Sequence, residues 1–161
     1  MSQQVDATRI PELQQVVSSA LALARTAGAS AADADASVQK GLTVTVRMGE
    51  VETIEYHRDR GMAVTVYFGH RKGSASTADL RPEAVGQTVA KACTIARHTA
   101  DDECAGLAEA ASMAREFPDL DLDHPWELQP EQAVEIAREC EAAGLAVDRR
   151  VTNSEGASLS T

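Results

Sequence analysis

Asp119, Asp121 and Asp123 alternate with Leu120 and Leu122, the carboxylate spacing found in the first half of a calcium loop. Such a loop also needs a glycine at its sixth position for the sharp turn and a bidentate glutamate at its twelfth. Those positions hold His124 and Pro130, so the ligand set is incomplete. The run reads instead as a solvated loop anchored by Leu120 and Leu122. The four histidines, His57, His70, His98 and His124, show no HExxH pattern or other close metal-ligand spacing. His57 and His70 are expected at strand ends, where they could approach each other across a sheet. A zinc ion would need a third ligand, and the sequence nominates none.

Nucleophilic chemistry has equally little support. Gly73-Ser74-Ala75-Ser76-Thr77 is rich in hydroxyls but contains no GxSxG elbow. The preceding Arg71-Lys72 pair gives it a weak anion-nest character. Glu50 and Glu52 fall on the same side of an expected strand, which would couple their titrations. Period-2 alternation already explains them as a polar outer face after a turn. Cys93, Cys104 and Cys140 form an odd set with no CxxC pair, which fits a reducing compartment better than a disulfide framework.

These residues sit in a recognisable succession of elements. Leu13, Val16, Val17, Ala20, Leu21 and Ala24 recur at helical spacing, predicting a helix from about Pro11 to Ala27. The period then changes to two. Ala34, Ala36 and Val38 alternate with polar residues, as do Leu42, Val44, Val46 and Met48, with Lys40-Gly41 as a tight turn between two strands. A third strand is expected from Val51 to Arg58, then a turn at Asp59-Arg60-Gly61. The fourth carries Met62, Val64, Val66 and Phe68, and a short fifth covers Ser74 to Thr77. Helical spacing resumes at Pro82, with Val85, Val89, Ala92 and Ala96 on one stripe. The stretch from Thr99 to Pro130 is irregular and acidic, with a short helical pattern near Leu107 to Arg115. A last helix starts near Pro130, its apolar face being Ala133, Ile136, Ala137, Cys140, Gly144 and Val147. Arg150-Val151-Thr152 and Ala157 to Thr161 read as two strands around a turn at Asn153-Ser154-Glu155-Gly156.

The fold class expected is α+β: an antiparallel β-meander of about five strands with helices packed on one face. The organisation expected is an N-terminal α+β domain over residues 1–125. Residues 126–161 then form a helix and an incomplete hairpin that begins a further region of a longer protein. Aromatics make up only 3% of the chain, so the core must be thin and built from Ala, Val, Leu and Ile. The net charge of −10 disfavours nucleic acid, whose phosphates repel such a surface. From Asp101 to Glu141 there are thirteen acids against Arg115 and Arg138. That half serves either as a solvated face or as a docking surface for a basic partner. No stretch has the roughly 20 apolar residues needed to span a bilayer. Met1 to Ile10 lacks the basic and apolar regions of a signal peptide.

Several blocks carry a resemblance. Arg47-Met48-Gly49-Glu50-Val51-Glu52, Gly61-Met62-Ala63-Val64-Thr65-Val66-Tyr67 and Arg71-Lys72-Gly73-Ser74-Ala75-Ser76-Thr77-Ala78-Asp79-Leu80 resemble the N-terminal domain of the TldD/PmbA metallopeptidase family. Ala96-Arg97-His98-Thr99, Cys104-Ala105-Gly106, Pro118-Asp119-Leu120-Asp121-Leu122 and Thr152-Asn153-Ser154-Glu155-Gly156 agree in order and spacing. Together they look closer to the PmbA (TldE) branch than to TldD. The resemblance implies a cytoplasmic peptidase assembled from two similar subunits. In it the TldD partner carries zinc through a histidine/glutamate motif, and the PmbA-like subunit has no metal or catalytic residues of its own. The implied partners are a TldD-like subunit and a peptide or unfolded substrate, with no nucleic acid and no membrane.

On that basis the chain is expected to serve subunit assembly and peptide admission rather than catalysis. An extended peptide would add to a sheet edge, where backbone hydrogen bonds give sequence-tolerant affinity. The residues nominated for peptide or partner contact are Arg47, Glu50, Glu52, Arg71, Lys72, Ser74 and Thr77. Two other readings stay open: a stand-alone acidic binding or adaptor domain, and a complete small hydrolase using Ser74 or Cys104.

Overall fold

A computed structural model describes residues 10–122, 124 and 126–161. Asp123, the third aspartate of the calcium-like run, lies outside the described residues, as does the N-terminal stretch up to Arg9. In order, the elements are α1 (Ile10–Thr26), β1 (Ala31–Arg47), β2 (Glu50–Phe68), β3 (Arg71–Thr77), α2 (Pro82–His98), α3 (Pro130–Leu145) and β4 (Ala157–Ser160). A single 3₁₀ turn, Ala110–Ser112, stands where a short helix was expected near Leu107 to Arg115. The strands form one antiparallel sheet in the order β3-β2-β1-β4. The α+β class therefore stands, with four strands among the described residues, close to the five expected.

The difference in strand count has a physical reason. Lys40-Gly41 and Asp59-Arg60-Gly61 carry turn residues, yet neither makes a turn: each lies inside a single long strand. The buried side chains on either side keep the same parity. Half-buried Ala34, Ala36 and Val38 are in phase with buried Leu42, Val44 and Val46 across Gly41. A strand continues when alternation runs through a glycine without a phase break. Neither Gly41 nor Gly61 has the positive φ of a tight hairpin residue, whereas Met48 (φ 51°) and Gly49 (φ 79°) both do. The real β1–β2 turn is thus Met48-Gly49, in the pattern of a two-residue primed hairpin.

The chain divides into two compact units. One contains residues 10–38 and 60–122. Its core joins Ala20 and Ala24 of α1 and Met62, Val64 and Val66 of β2 with Val85, Val89, Ala92, Cys93 and Ala96 of α2. Small residues let these elements approach closely. A Cβ on Gly73 of β3 would run into the Ala92 carbonyl and the Ala96 amide of α2, so the strand and helix backbones meet there. Within this unit β3 pairs with β2 from Met62↔Thr77 to Phe68↔Arg71.

The other unit contains Gln39–Asp59 and the residues from 126 on. Leu42, Val44 and Val46 of β1 pack against Ala133, Val134 and Ala137 of α3, with Leu128, Ala157 and Leu159 at the margin. Val44 and Val46, like Val64 and Val66 in the first unit, are fully buried. Each such side chain contributes about 1.5–3 kcal/mol of burial free energy. β4 pairs antiparallel with β1, from Thr43↔Ser160 to Val46↔Ala157. The strand expected at Arg150-Val151-Thr152 does not form. Asp148 draws that segment into a local turn, accepting the Arg150 N–H on Oδ1 and the Val151 N–H on its carbonyl.

The face of α3 also differs from expectation. Ala133, Val134, Ala137 and Glu141 are buried, while Ile136 and Cys140 are exposed and Val147 is 80% exposed. Leu120 and Leu122, expected to anchor their loop, are likewise exposed.

Candidate functional site

The seven nominated contact residues fall into two groups, each inside its own unit. Arg47, Glu50 and Glu52 flank the Met48-Gly49 turn and are exposed. Arg47 closes β1 and donates from Nε to the Ser154 carbonyl at 3.2 Å. Glu50 and Glu52 open β2, on a stretch from Glu50 to Arg60 that is exposed along its whole length.

Arg71, Lys72, Ser74 and Thr77 lie on β3, at one end of the sheet order. Alternation sorts them. Gly73 is buried towards α2, with Arg71, Ala75 and Thr77 half-buried, while Lys72, Ser74 and Ser76 are exposed. Arg71 Nη1 donates to the Arg97 carbonyl at 3.2 Å, tying the strand to the last turn of α2. The Thr77 hydroxyl accepts the Asp79 N–H at 3.1 Å and closes the strand. Ser74 shares a hydroxyl–hydroxyl hydrogen bond of 2.9 Å with Thr65 on β2. Three of the four β3 side chains are therefore engaged locally, and Lys72 projects from the strand. Because β3 is an edge strand, alternate N–H and C=O groups of its backbone point away from β2.

Sequence reasoning passed over a buried carboxylate that holds the turn. Glu141, only 5% exposed, accepts the Met48 N–H on Oε1 and the Gly49 N–H on Oε2, each at 2.8 Å. Arg138, one turn earlier on α3, donates from Nε to the Gly49 carbonyl at 2.9 Å. The Gly49 amide, followed by that of Met48, the Ser154 hydroxyl and the Arg47 charge, holds the Glu141 carboxyl below its ordinary pKa against the opposing effect of burial. Charge-assisted bonds of this kind are about twice as strong as neutral ones. They fix the turn from which Arg47, Glu50 and Glu52 project. The available signal was a glutamate on the same stripe as Ala133 and Ala137, four residues apart each time.

His57 lies inside β2 beside Gly41, not at a strand end. His70 lies in the β2–β3 turn, its Nδ1 3.2 Å from the Ala105 carbonyl oxygen. Cys93 is buried, and Cys104 and Cys140 are exposed free thiols. Among the described residues no three histidine, cysteine or carboxylate groups come together as a metal site. The side chains present in those residues therefore do not fit a resident metal ion. No helix among them is long and apolar enough to cross a membrane.

Comparison with known proteins completes this picture. Residues 32–96 match a family model described as PmbA/TldA metallopeptidase domain 1. The chain is 44% identical over 158 residues to metalloprotease PmbA of Escherichia coli O157:H7, covering 98% of this chain and 35% of that protein. It is 43% identical over 150 residues to a PmbA homolog of Haemophilus influenzae, covering 93% and 33% respectively. The chain thus spans about a third of the length of these curated relatives. Its fold resembles a Bacteroides thetaiotaomicron protein crystallised as a candidate modulator of DNA gyrase, with TM-score 0.73, 22% identity, and coverage of 86% and 32%. It also resembles TldE of Thermococcus kodakarensis, with TM-score 0.57, 15% identity, and coverage of 79% and 30%.

Proposed function

The chain belongs to the PmbA/TldD metallopeptidase family through the first domain it carries, and from that premise we propose that it is the N-terminal part of a non-catalytic, PmbA-type subunit. In this reading it acts in the cytoplasm, assembles with a TldD-like subunit that supplies the zinc and the catalytic residues, and helps admit peptides or unfolded segments. The contribution of this chain is positional. An extended peptide adds to the free side of β3, pairing with its backbone from Arg71 to Thr77, while Lys72 and Ser74 flank the incoming chain. Backbone pairing suits a peptidase that accepts varied sequences, because every peptide offers the same N–H and C=O pattern. Arg47, Glu50 and Glu52, displayed by the clamped Met48-Gly49 turn, are proposed as the second contact patch.

The observation that carries this reading is the position of β3 at the edge of the sheet, with one side paired to β2. The test is co-purification of the intact protein with a TldD-type subunit from the same cell, followed by peptidase assays with and without zinc. Cleavage that needs both subunits and the metal is the expected result. Cleavage by this protein alone without metal, or no association, overturns it. Hydrogen exchange of the Arg71–Thr77 amides should slow when peptide is added to the pair, and unchanged exchange rejects the edge as the entry site.

A second reading, an acidic adaptor domain, draws support from Phe117, Leu120 and Leu122, which are 79%, 65% and 80% exposed amid acidic residues. Salt-sensitive capture of a basic partner by this chain without a TldD-type subunit would favour it.

A further inference from the structure

The unit formed by residues 10–38 and 60–122 holds a cavity of about 400 Å³ that the subunit reading does not use. That volume lies in the range of about 300–1,000 Å³ typical of small-molecule sites. Its wall is chiefly apolar: Leu13, Val16 and Leu23 from α1, Val38 from β1, and Leu80 and Val85 at the head of α2. Two opposite charges also line it, Glu12 in the first turn of α1 and Arg60 on β2.

Within the described residues neither charge forms an ion pair, and Arg60 acts on Asp79 only through its charge. Glu12 and Arg60 form no ion pair with each other, although they line one space. Asp79 feels the charge of Arg60, but its carboxylate is already gripped by Arg81, whose Nε lies 3.0 Å from Oδ1 and 2.9 Å from Oδ2. Arg60 is thus a guanidinium beside an apolar wall with its donors uncommitted. A guanidinium presents a planar fork that matches a carboxylate. A carboxylate such as Glu12 is matched by an ammonium. Two unpaired opposite charges across an apolar space suit a ligand that carries both charges on an apolar body. A simple anion would be attracted by Arg60 but repelled by Glu12, and an uncharged apolar molecule would leave both unanswered.

We propose that this cavity binds a small zwitterion of the apolar amino-acid class, its carboxylate on Arg60, its ammonium on Glu12 and its side chain against Leu13, Val38 and Val85. The same chemistry is offered by a free apolar amino acid and by a short apolar peptide. The site stands apart from the proposed peptide entry, since neither Glu12 nor Arg60 takes part in it.

Titration calorimetry of the intact protein tests this with L-leucine, the dipeptide Leu-Leu and uncharged N-acetyl-leucinamide. Leucine or Leu-Leu should bind, with the tighter of the two identifying the source, and the capped amide should bind at least about tenfold more weakly. Arg60→Gln and Glu12→Gln change exposed side chains and should each weaken the zwitterion by about tenfold to a hundredfold. Val38→Trp, a good strand former, should fill the cavity and abolish binding with the far-UV circular dichroism unchanged. The proposal is overturned if neither zwitterion gives heat at millimolar concentration. Equal binding of the capped amide, or retention of full affinity in Arg60→Gln, overturns it as well.

Discussion

Glu141 holds Gly49: the buried carboxylate oxygen Oε2 accepts the Gly49 amide at 2.8 Å, while Oε1 takes the neighbouring Met48 amide. Both turn residues adopt positive φ, which swings their N–H groups to the α3 side. Without an acceptor these amides would lie against a helix unpaired, at a cost of about 1–3 kcal/mol each. The carboxylate therefore decides where the β1–β2 turn rests, and with it the direction in which Arg47, Glu50 and Glu52 project.

Glu141→Gln should loosen that turn without unfolding the chain. The amide side chain has one acceptor oxygen and brings an NH₂ that cannot face a backbone N–H. Hydrogen exchange at Met48 and Gly49 should accelerate by at least about tenfold. Exchange in α2 should stay unchanged. Equal protection of the turn in both proteins would remove Glu141 from this role.

The same clamp makes stability depend on acid. The folded-state pKa of Glu141 lies below its ordinary value of 4.5, so the unfolded chain takes up the proton first. The contribution is fully present above that ordinary value and is lost as pH falls through the lowered folded value. Urea midpoints measured from about pH 7 down to about pH 3 should show wild type losing more stability than Glu141→Gln across that window. Asp79, brought down to about 2 chiefly by its hydrogen bond to Arg81, is common to both proteins and cancels in the comparison. Parallel curves would mean that the carboxylate is not the titrating group.

Gly73 and Gly86 offer a pair of opposite signs. A methyl on Gly73 would collide with Ala92 and Ala96 of α2, so Gly73→Ala should destabilise by about 1–3 kcal/mol through overpacking. Gly86 lies inside α2 with open space around the position of its missing Cβ. Gly86→Ala should therefore stabilise by about 0.5–1 kcal/mol, because alanine loses less backbone freedom in a helix. Thermal melts of the two variants read both effects. A neutral Gly73→Ala would show that α2 and β3 do not need their close approach.

These contrasts show which features were legible in the sequence and why others were not. The three helices were readable because Pro11, Pro82 and Pro130 stand in their first turns and their apolar residues keep helical spacing. The strands were readable too, but not their lengths, since Lys40-Gly41 and Asp59-Arg60-Gly61 imitate turns while the phase of alternation runs straight through them. The partner of β4 was hidden because pairing of Val44 with Leu159 is a relation across the chain, not within a window. Glu141 was hidden because periodicity assigns a charge to the solvent side. Its burial makes sense only once the Met48-Gly49 turn is known to lie against it. The seven contact residues were nominated alike, and only the structure separates exposed Lys72 and Ser74 from half-buried Arg71 and Thr77. The local hydrogen bonds that occupy Arg71, Ser74 and Thr77 depend on α2, β2 and the following loop.

Met48 provides the last test of how the turn is held. It is the first residue of a primed turn at φ 51°, a conformation that asparagine tolerates far better than an unbranched apolar side chain. The side chain is half exposed, so little packing is lost on replacing it. Met48→Asn should therefore stabilise the protein by about 1 kcal/mol, seen as a higher urea midpoint with an unchanged slope. The gain should grow when Glu141→Gln is also present. With the carboxylate gone, residue 48 must hold its left-handed conformation by its own preference rather than by a bond to α3. Residues that share one hydrogen-bonded network are expected to be non-additive in this way. Strict additivity of the two substitutions would mean that the turn is set by its own backbone, and that Glu141 follows the turn rather than forming it.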